Sequence, residues 1–327
     1  MKFIGFDAPG EASVLHLKEG SVPVPEPGDV LIRVAYAGVN RPDLLQRAGA
    51  YPPPPGVSPV LGLEVSGWVA AVGDGVTEWR TGDRVAALVP GGGYAEFCLA
   101  PAGQVLPVPE GIGLDVAAGL PENWFTVWHN LMDLGHLQTG ERLLVHGAAG
   151  GIGLAALQLG RLVGAEVFAT ASSSSKLAMC AQYGATWCID SGKEDFVERI
   201  REITSRSGVD VVLDILGGNF LQKNVSLLRQ DGRHISIAFL EGSRVEFDFM
   251  TVMMRRLVMT GSTMRPRSII EKTRIRNDLL ERVWPALTTG RVGVHLDSTF
   301  PLNDAAAAHR RMESRGHIGK ILLHVAE

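Results

Sequence analysis

The amino-acid sequence predicts an α/β protein in which an all-β domain precedes a doubly wound parallel sheet. Short strand-like runs separated by turns fill the first 120 residues, and strand-like and helix-like segments alternate after them. A glycine-rich turn also lies between the first strand and the first helix of the alternating part. We therefore expect domains at residues 1–120 and 121–265, with residues 266–327 returning to the first domain.

The first domain has the pattern of a small barrel or sandwich. Runs of strand-forming residues are found at 30–37, 65–72, 82–88 and 94–99. Proline and glycine mark the turns between them, for example at residues 25–29.

The second part has the alternation that is typical of a parallel sheet with helices on both faces. Strands are predicted at 142–146, 166–171, 186–189, 209–216, 234–238 and 257–263, and helices at 152–163, 176–183, 194–205 and 220–228. In the tail we expect helices at 268–288 and 304–313 and a closing strand at 319–325.

Composition argues against several classes of partner. The net charge is −4 and no basic tract is present, so we expect no nucleic-acid partner. No apolar stretch reaches the roughly 20 residues that a membrane span needs, and the N-terminus turns acidic too early for a signal peptide. Three scattered cysteines form no disulfide framework. We expect a cytoplasmic protein without a membrane partner.

The turn at residues 146–153, His-Gly-Ala-Ala-Gly-Gly-Ile-Gly, has the composition of a dinucleotide-binding loop. Glycine permits a tight turn and a close approach of the backbone to a pyrophosphate, and the N-terminus of the following helix offers free N–H groups. A plain strand–helix turn is the alternative interpretation.

The end of the second strand bears on the choice between NADPH and NADH. An NAD site has Asp or Glu about 20 residues beyond the loop, whereas this chain has Ser172, 19 positions after Gly153, followed by further serines and Lys176. Hydroxyl groups and a lysine suit a 2′-phosphate, so the sequence favours NADPH. Alternatively, the serines only cap the next helix.

Several motifs, in order, resemble the ζ-crystallin-like quinone oxidoreductases, which are zinc-free members of the medium-chain dehydrogenase/reductase superfamily. The matching motifs are AGVNRPD at 37–43, LGLEVSG at 61–67, GDRV at 82–85, GGGYAE at 91–96 and IGKI at 318–321. The segment YPPPPG at 51–56 resembles the branch that reduces ortho-quinones.

This resemblance implies a GroES-like β-barrel catalytic domain plus a doubly wound Rossmann domain, with the active site in the cleft between them. It also implies a homodimer joined through the edge strand at residues 257–263, whose apolar edge would be a liability in a monomer.

The resemblance further implies that no metal takes part. Asn40 and Leu63 stand where related alcohol dehydrogenases hold a catalytic zinc, and neither is a good zinc ligand. A quinone accepts hydride without a Lewis acid, so NADPH-dependent quinone reduction is the predicted activity.

Individual roles follow from the resemblance. As cofactor contacts it implies Asn40 and Thr126 at the nicotinamide and its ribose, Ala149, Gly150, Gly151 and Ile152 at the pyrophosphate, Ser172, Lys176 and Lys320 at the 2′-phosphate, and Phe239, Leu240 and Met264 beside the nicotinamide ring. Leu216 is implied as a further cofactor contact. Tyr51, with Asn40, is the catalytic candidate: its ring could stack on a quinone and its hydroxyl could relay a proton. Alternatively, Tyr51 only anchors a proline-stiffened loop. Glu64 is expected to be a buried structural partner.

Two other functions remain open from the sequence. The same scaffold serves NADPH-dependent reductases of activated C=C bonds, such as an enal, an enone or an enoyl thioester. A non-catalytic NADPH-binding protein is the third possibility.

Overall fold

The computed structural model describes residues 1–326, and these form fifteen strands and eleven α-helices. The strands are β1 Lys2–Gly5, β2 His16–Glu19, β3 Asp29–Val39, β4 Glu64–Val72, β5 Arg84–Leu88, β6 Phe97–Pro101, β7 Val105–Pro107, β8 Arg142–Val145, β9 Glu166–Ala171, β10 Trp187–Asp190, β11 Val209–Asp214, β12 Leu228–Ser236, β13 Val258–Gly261, β14 Leu296–Pro301 and β15 Lys320–His324. The helices are α1 Arg41–Arg47, α2 Leu114–Ala118, α3 Pro121–Trp128, α4 Gly151–Val163, α5 Ser174–Gln182, α6 Phe196–Ile203, α7 Phe220–Leu227, α8 Met250–Arg255, α9 Ile269–Arg282, α10 Trp284–Thr288 and α11 Ala305–Glu313.

The chain divides into two compact units. The first contains Met1–Phe125 and the chain from Arg265 onward, and the second contains Thr126–Met264. The division falls within α3, whereas the sequence placed the first boundary after residue 120, where α3 begins.

The first unit is built on a mostly antiparallel sheet with the strand order β14-β15-β3-β4-β5-β7, and β6 also pairs with β3. The long strand β3 supplies core residues along its whole length, including Val30, Ile32 and Val34. Strand β15, from the end of the chain, pairs antiparallel with β3, with Ile321 opposite Val39. Residues that are far apart in sequence are thereby brought side by side.

The second unit is a six-stranded sheet with the order β10-β9-β8-β11-β12-β13, in which every pairing is parallel. The order reverses between β8 and β11, as in a doubly wound fold. Helix α4 is buried without interruption from Gly153 to Gly160, as expected for a helix pressed onto a sheet. The predicted α/β class with a doubly wound sheet is confirmed.

Three local predictions need correction. The helix predicted at 268–288 is two helices, α9 and α10, because Pro285 cannot continue the hydrogen bonds of α9. Strand β12 begins at Leu228 rather than at residue 234, because Leu228 already pairs with Val209 of β11; the register then shifts before Arg233, and Asp231 in between has a φ of +63°. The strand predicted at 94–99 begins only at Phe97.

Among the described residues, no helix has both the length and the apolar character that crossing a membrane would require.

Candidate active site

A closed ring of buried polar groups lies in the first unit. Glu64, at the start of β4, is fully buried, and its Oε1 accepts a hydrogen bond from Asn40 Nδ2 at 2.9 Å and pairs with Lys320 Nζ. Lys320 Nζ also donates to Asn40 Oδ1 at 2.8 Å. The remaining oxygen, Glu64 Oε2, accepts from the backbone N–H of Glu122 at 2.9 Å. A buried charge pair needs such complete hydrogen bonding to offset the loss of solvation.

The fold explains why these groups meet. Asn40 immediately follows β3 and Lys320 begins β15, and the pairing of these two strands sets the side chains next to each other. Gly38 leaves the room that the carboxylate needs, because a Cβ there would lie 2.1 Å from Glu64 Oε1. The expectation that Glu64 is a buried structural partner is confirmed.

A second chain of hydrogen bonds holds helix α1. Asn40 is the N-cap of α1, and its backbone N–H donates to Asp43 Oδ2 at 2.8 Å. Arg47 can only donate, so His309 Nδ1 accepts from it at 3.2 Å and His309 Nε2 carries the proton. That nitrogen lies 3.2 Å from the Tyr94 hydroxyl, which donates to Asp43 Oδ2 at 3.2 Å.

Burial sets the protonation of this chain. It raises the pKa of Asp43 to about 6, although backbone N–H groups and Tyr94 act in the opposite direction. It lowers the pKa of His309 to about 3, with the positive charge of Arg47 adding to the effect. His309 is therefore neutral over the physiological range and has a structural role.

Tyr51 is half-buried and packs beside a cation. The guanidinium carbon of Arg265 lies 5.7 Å from the centre of the Tyr51 ring. Arg265 is buried and is fixed by hydrogen bonds from Nε to Pro90 O at 2.7 Å and from Nη1 to Gln46 Oε1 at 2.8 Å. Burial raises the pKa of Tyr51, the charge of Glu122 raises it further, and Arg265 lowers it.

Glu122, in the first turn of α3, is a residue that the sequence interpretation missed. Burial and the neighbouring charge of Glu64 raise the pKa of its carboxyl group to about 8. An acidic residue in the first turn of a helix is common, so the sequence carried no signal that this one differs.

The second unit gathers most of the predicted cofactor residues at one edge of its sheet. Carboxyl ends of parallel strands meet at the same edge, where doubly wound proteins bind ligands. The predicted residues follow these ends in turn: Ala149, Gly150, Gly151 and Ile152 after β8, Ser172 after β9, Leu216 after β11, Phe239 and Leu240 after β12, and Met264 after β13.

The details of this edge suit a dinucleotide. Gly150 is the N-cap of α4 and, as glycine, provides no side-chain cap, which leaves the first N–H groups of the helix available for a phosphate. The hydroxyl group of Thr126 is buried and makes no hydrogen bond with residues 1–326. The Leu216 turn is fixed by Asp214, whose Oδ1 accepts from the Leu216 N–H at 2.7 Å.

The serines after β9 have different positions. Ser173 is the N-cap of α5 and accepts from the backbone N–H of Lys176 at 3.4 Å, so the capping interpretation applies to this residue. Ser172, one position earlier, is exposed.

Lys320 requires a correction. The resemblance implied a contact with the 2′-phosphate, but its ammonium group is buried and engaged with Glu64 and Asn40. Moving it to a phosphate would leave the Glu64 carboxylate buried without a partner, which is costly. We therefore remove Lys320 from the phosphate contacts.

Comparison with known proteins identifies the family. Residues 26–110 match the model for the alcohol dehydrogenase GroES-like domain, and residues 151–281 match the model named zinc-binding dehydrogenase. The human synaptic vesicle membrane protein VAT-1 homolog is 33% identical over 324 residues, which are 94% of this chain and 82% of that protein. The chain belongs to the medium-chain dehydrogenase/reductase superfamily.

Other similar proteins are a much longer polyketide synthase and two proteins of solved structure. The chain is 33% identical to a phenolphthiocerol/phthiocerol polyketide synthase of Mycobacterium tuberculosis, where the match covers 98% of this chain but only 15% of that protein. Among solved structures, the Escherichia coli quinone oxidoreductase complexed with NADPH has a TM-score of 0.88 at 29% identity, covering 99% of this chain and 100% of that one. CurK enoyl reductase has a TM-score of 0.86 at 27% identity and 99% coverage of both chains.

Within this superfamily, two residues of the first unit bear on metal binding. Asn40 is held by Lys320 and Glu64, and Leu63 is a buried apolar residue, so neither side chain is suited to zinc. In the part of the chain that the structure describes, no group of three or more His, Cys, Asp or Glu residues is placed to hold a metal ion.

Replacing Lys320 with Met tests the buried ring. The Glu64 carboxylate would lose its charged partner in a buried site, so we expect the free energy of unfolding to fall by about 3 kcal/mol or more. Urea denaturation followed by circular dichroism measures this change. The double variant Glu64→Gln/Lys320→Met should recover part of the loss.

The control is Lys18→Met, which breaks the exposed Lys18–Asp7 pair and should change stability little. If Lys320→Met proved as stable as the parent protein, the Glu64–Lys320 pair would not have the structural role assigned here.

Proposed function

We propose that the protein catalyses NADPH-dependent reduction of quinones by hydride transfer without zinc. The observation that carries this proposal is the Tyr51–Arg265 pair, in which a half-buried aromatic ring lies beside a buried guanidinium group. The Arg265 side chain donates hydrogen bonds to Pro90 and Gln46 but forms an ion pair with no described residue. An aromatic ring suits stacking on a flat acceptor, and a cation favours an acceptor that gains electron density.

NADPH is the cofactor, since two proteins that resemble this chain over nearly its whole length, the Escherichia coli quinone oxidoreductase and a mycobacterial protein, were solved in complex with NADPH. When bound, the reduced nicotinamide supplies the hydride. We place the pyrophosphate at the N-terminus of α4, from Ala149 to Ile152, and the 2′-phosphate near Ser172 and Lys176. No carboxylate follows β9 directly to repel that phosphate.

Other residues of the chain position the nicotinamide and the acceptor. Thr126 offers a hydroxyl group that no described residue satisfies. The amide of Asn40 is oriented by the buried ring and in turn orients the nicotinamide. Leu216, Phe239, Leu240 and Met264 flank the ring and exclude water, and Phe239 is 54% exposed in the protein alone. Tyr51 holds the acceptor.

A reductase of activated C=C bonds is the second candidate. Its support is the similarity to CurK enoyl reductase and to the polyketide synthase. The same residues would orient an enoyl group as well as a quinone, so only the acceptor distinguishes the two activities.

We also propose that the protein is a homodimer joined through β13. This strand is the edge of the six-stranded sheet, and Val258 in it is 49% exposed. An apolar edge strand is a template for pairing with a second copy.

Steady-state oxidation of NADPH by the chelator-treated protein tests the proposed activity. With phenanthrenequinone and a simple enal offered in parallel, we expect fast turnover of the quinone and little of the enal. The reverse result would assign the protein to the alkene reductases.

The variant Tyr51→Phe should slow quinone reduction by no more than about tenfold in the same assay, because the ring that stacks on the acceptor remains. A loss of several orders of magnitude would show that the hydroxyl group is essential.

The 2′-phosphate contact is tested by titrating the protein with NADPH and NADH and following fluorescence. Lys176→Ala should weaken NADPH binding by about tenfold and leave NADH binding unchanged, since one charge-assisted hydrogen bond is lost. Lys18→Ala, in the other unit, is the control. Equal affinities of the parent protein for the two cofactors would contradict the assignment.

The dimer is tested by sedimentation equilibrium of the parent protein and of Val258→Lys. A charge at the sheet edge should favour the monomer, because pairing would bury it. A parent protein that sediments as a monomer would contradict the proposal.

A further inference from the structure

Glu122 is a titratable group that the proposed function leaves without a role. Its backbone N–H donates to Glu64 Oε2 at 2.9 Å, so its position is tied to the buried ring of Asn40, Glu64 and Lys320. Its own side chain is half-buried. No hydrogen bond or ion pair joins the carboxyl group to any of residues 1–326.

Burial and the surrounding charges favour the protonated form of the Glu122 carboxyl group. Burial acts most strongly, and the carboxylates of Glu64 and Asp43 add to it. Lys320 and Lys272 act in the opposite direction, but the ammonium group of Lys320 is engaged by the ring and that of Lys272 donates to Arg265 O at 2.9 Å. The resulting pKa of about 8 leaves the carboxyl group protonated at neutral pH.

Glu122 also acts electrostatically on Tyr51, the residue that we place against the acceptor. When the Glu122 carboxyl group is ionised, its charge raises the pKa of the Tyr51 phenol group, which also packs beside Arg265. The neighbourhood of Tyr51 therefore contains one fixed cation, Arg265, and one neutral acid, Glu122. Reduction of a carbonyl acceptor requires both stabilisation of negative charge and a proton.

We propose that Glu122 is the proton donor of the reaction, delivering its carboxyl proton directly to the acceptor. This inference rests on the proposed function. The acceptor gains a hydride, with both of its electrons, from NADPH, which is oxidised. It gains one proton from Glu122, whose carboxyl O–H bond breaks as an O–H bond forms on the acceptor. Water then returns a proton to the Glu122 carboxylate.

A purely structural role would have a different signature. Acidic residues in the first turn of a helix stabilise it when they are ionised, whereas Glu122 is held protonated. Glutamine has the same shape and keeps hydrogen-bonding capacity, so a structural role would survive Glu122→Gln. Proton donation would not.

The experiment compares the pH dependence of kcat for quinone reduction in the parent protein, Glu122→Gln and Glu110→Gln. A donor works only in its protonated form, so the parent rate should be constant at low pH and fall as pH rises through about 8. Glu122→Gln should lower kcat on the order of 10²-fold and abolish this decline, with little change in the KM for NADPH. Glu110→Gln removes an exposed carboxylate elsewhere in the same unit and should keep the parent profile.

A second measurement keeps the test independent of turnover. Infrared difference spectra between neutral and high pH should show a protonated carboxyl band in the parent protein that is absent from Glu122→Gln. If the parent reduces no quinone but shows this band, the proposed function fails while the protonation state stands. A missing band at neutral pH, or a Glu122→Gln variant with the parent rate and pH profile, would overturn the role of Glu122.

Discussion

The buried pair of Glu64 and Lys320 is the constraint on which the first unit depends. It joins the start of β4 to the start of β15, and Asn40 closes the ring between them. Charges removed from water must be fully paired. The ring therefore constrains the register of β3 against β15, the residue at position 38 and the start of α3. The ring thereby determines where Asn40 and Glu122 are held.

The two units contribute different chemistry. In the second unit, the groups that we propose for the cofactor's phosphates are mainly backbone groups, at the turn after β8 and the N-terminus of α4. The first unit offers side chains whose protonation is set by burial, among them Asp43, His309 and Glu122. The cofactor contacts and the proton donor that we propose therefore belong to different units.

The sequence predicted what depends on local pattern. The alternation of strands and helices and the glycine turn are local, so the doubly wound sheet and the residues from Ala149 to Ile152 could be placed in advance. The pairing of β3 with β15 is not local, so the engagement of Lys320 with Glu64 could not be anticipated and its role was misassigned. Glu122 was missed for the same reason, since its protonation depends on neighbours from other elements.

The close contact at Gly38 restricts the order in which this chain can change over evolutionary time. A methyl group at that position cannot coexist with the Glu64 carboxylate, since a Cβ there would lie 2.1 Å from Oε1. Alanine at 38 is therefore accessible only to a lineage that has first given up the glutamate. Loss of the glutamate, in turn, leaves a buried lysine to be replaced. We therefore expect positions 64 and 320 to change together, and position 38 to change only after them.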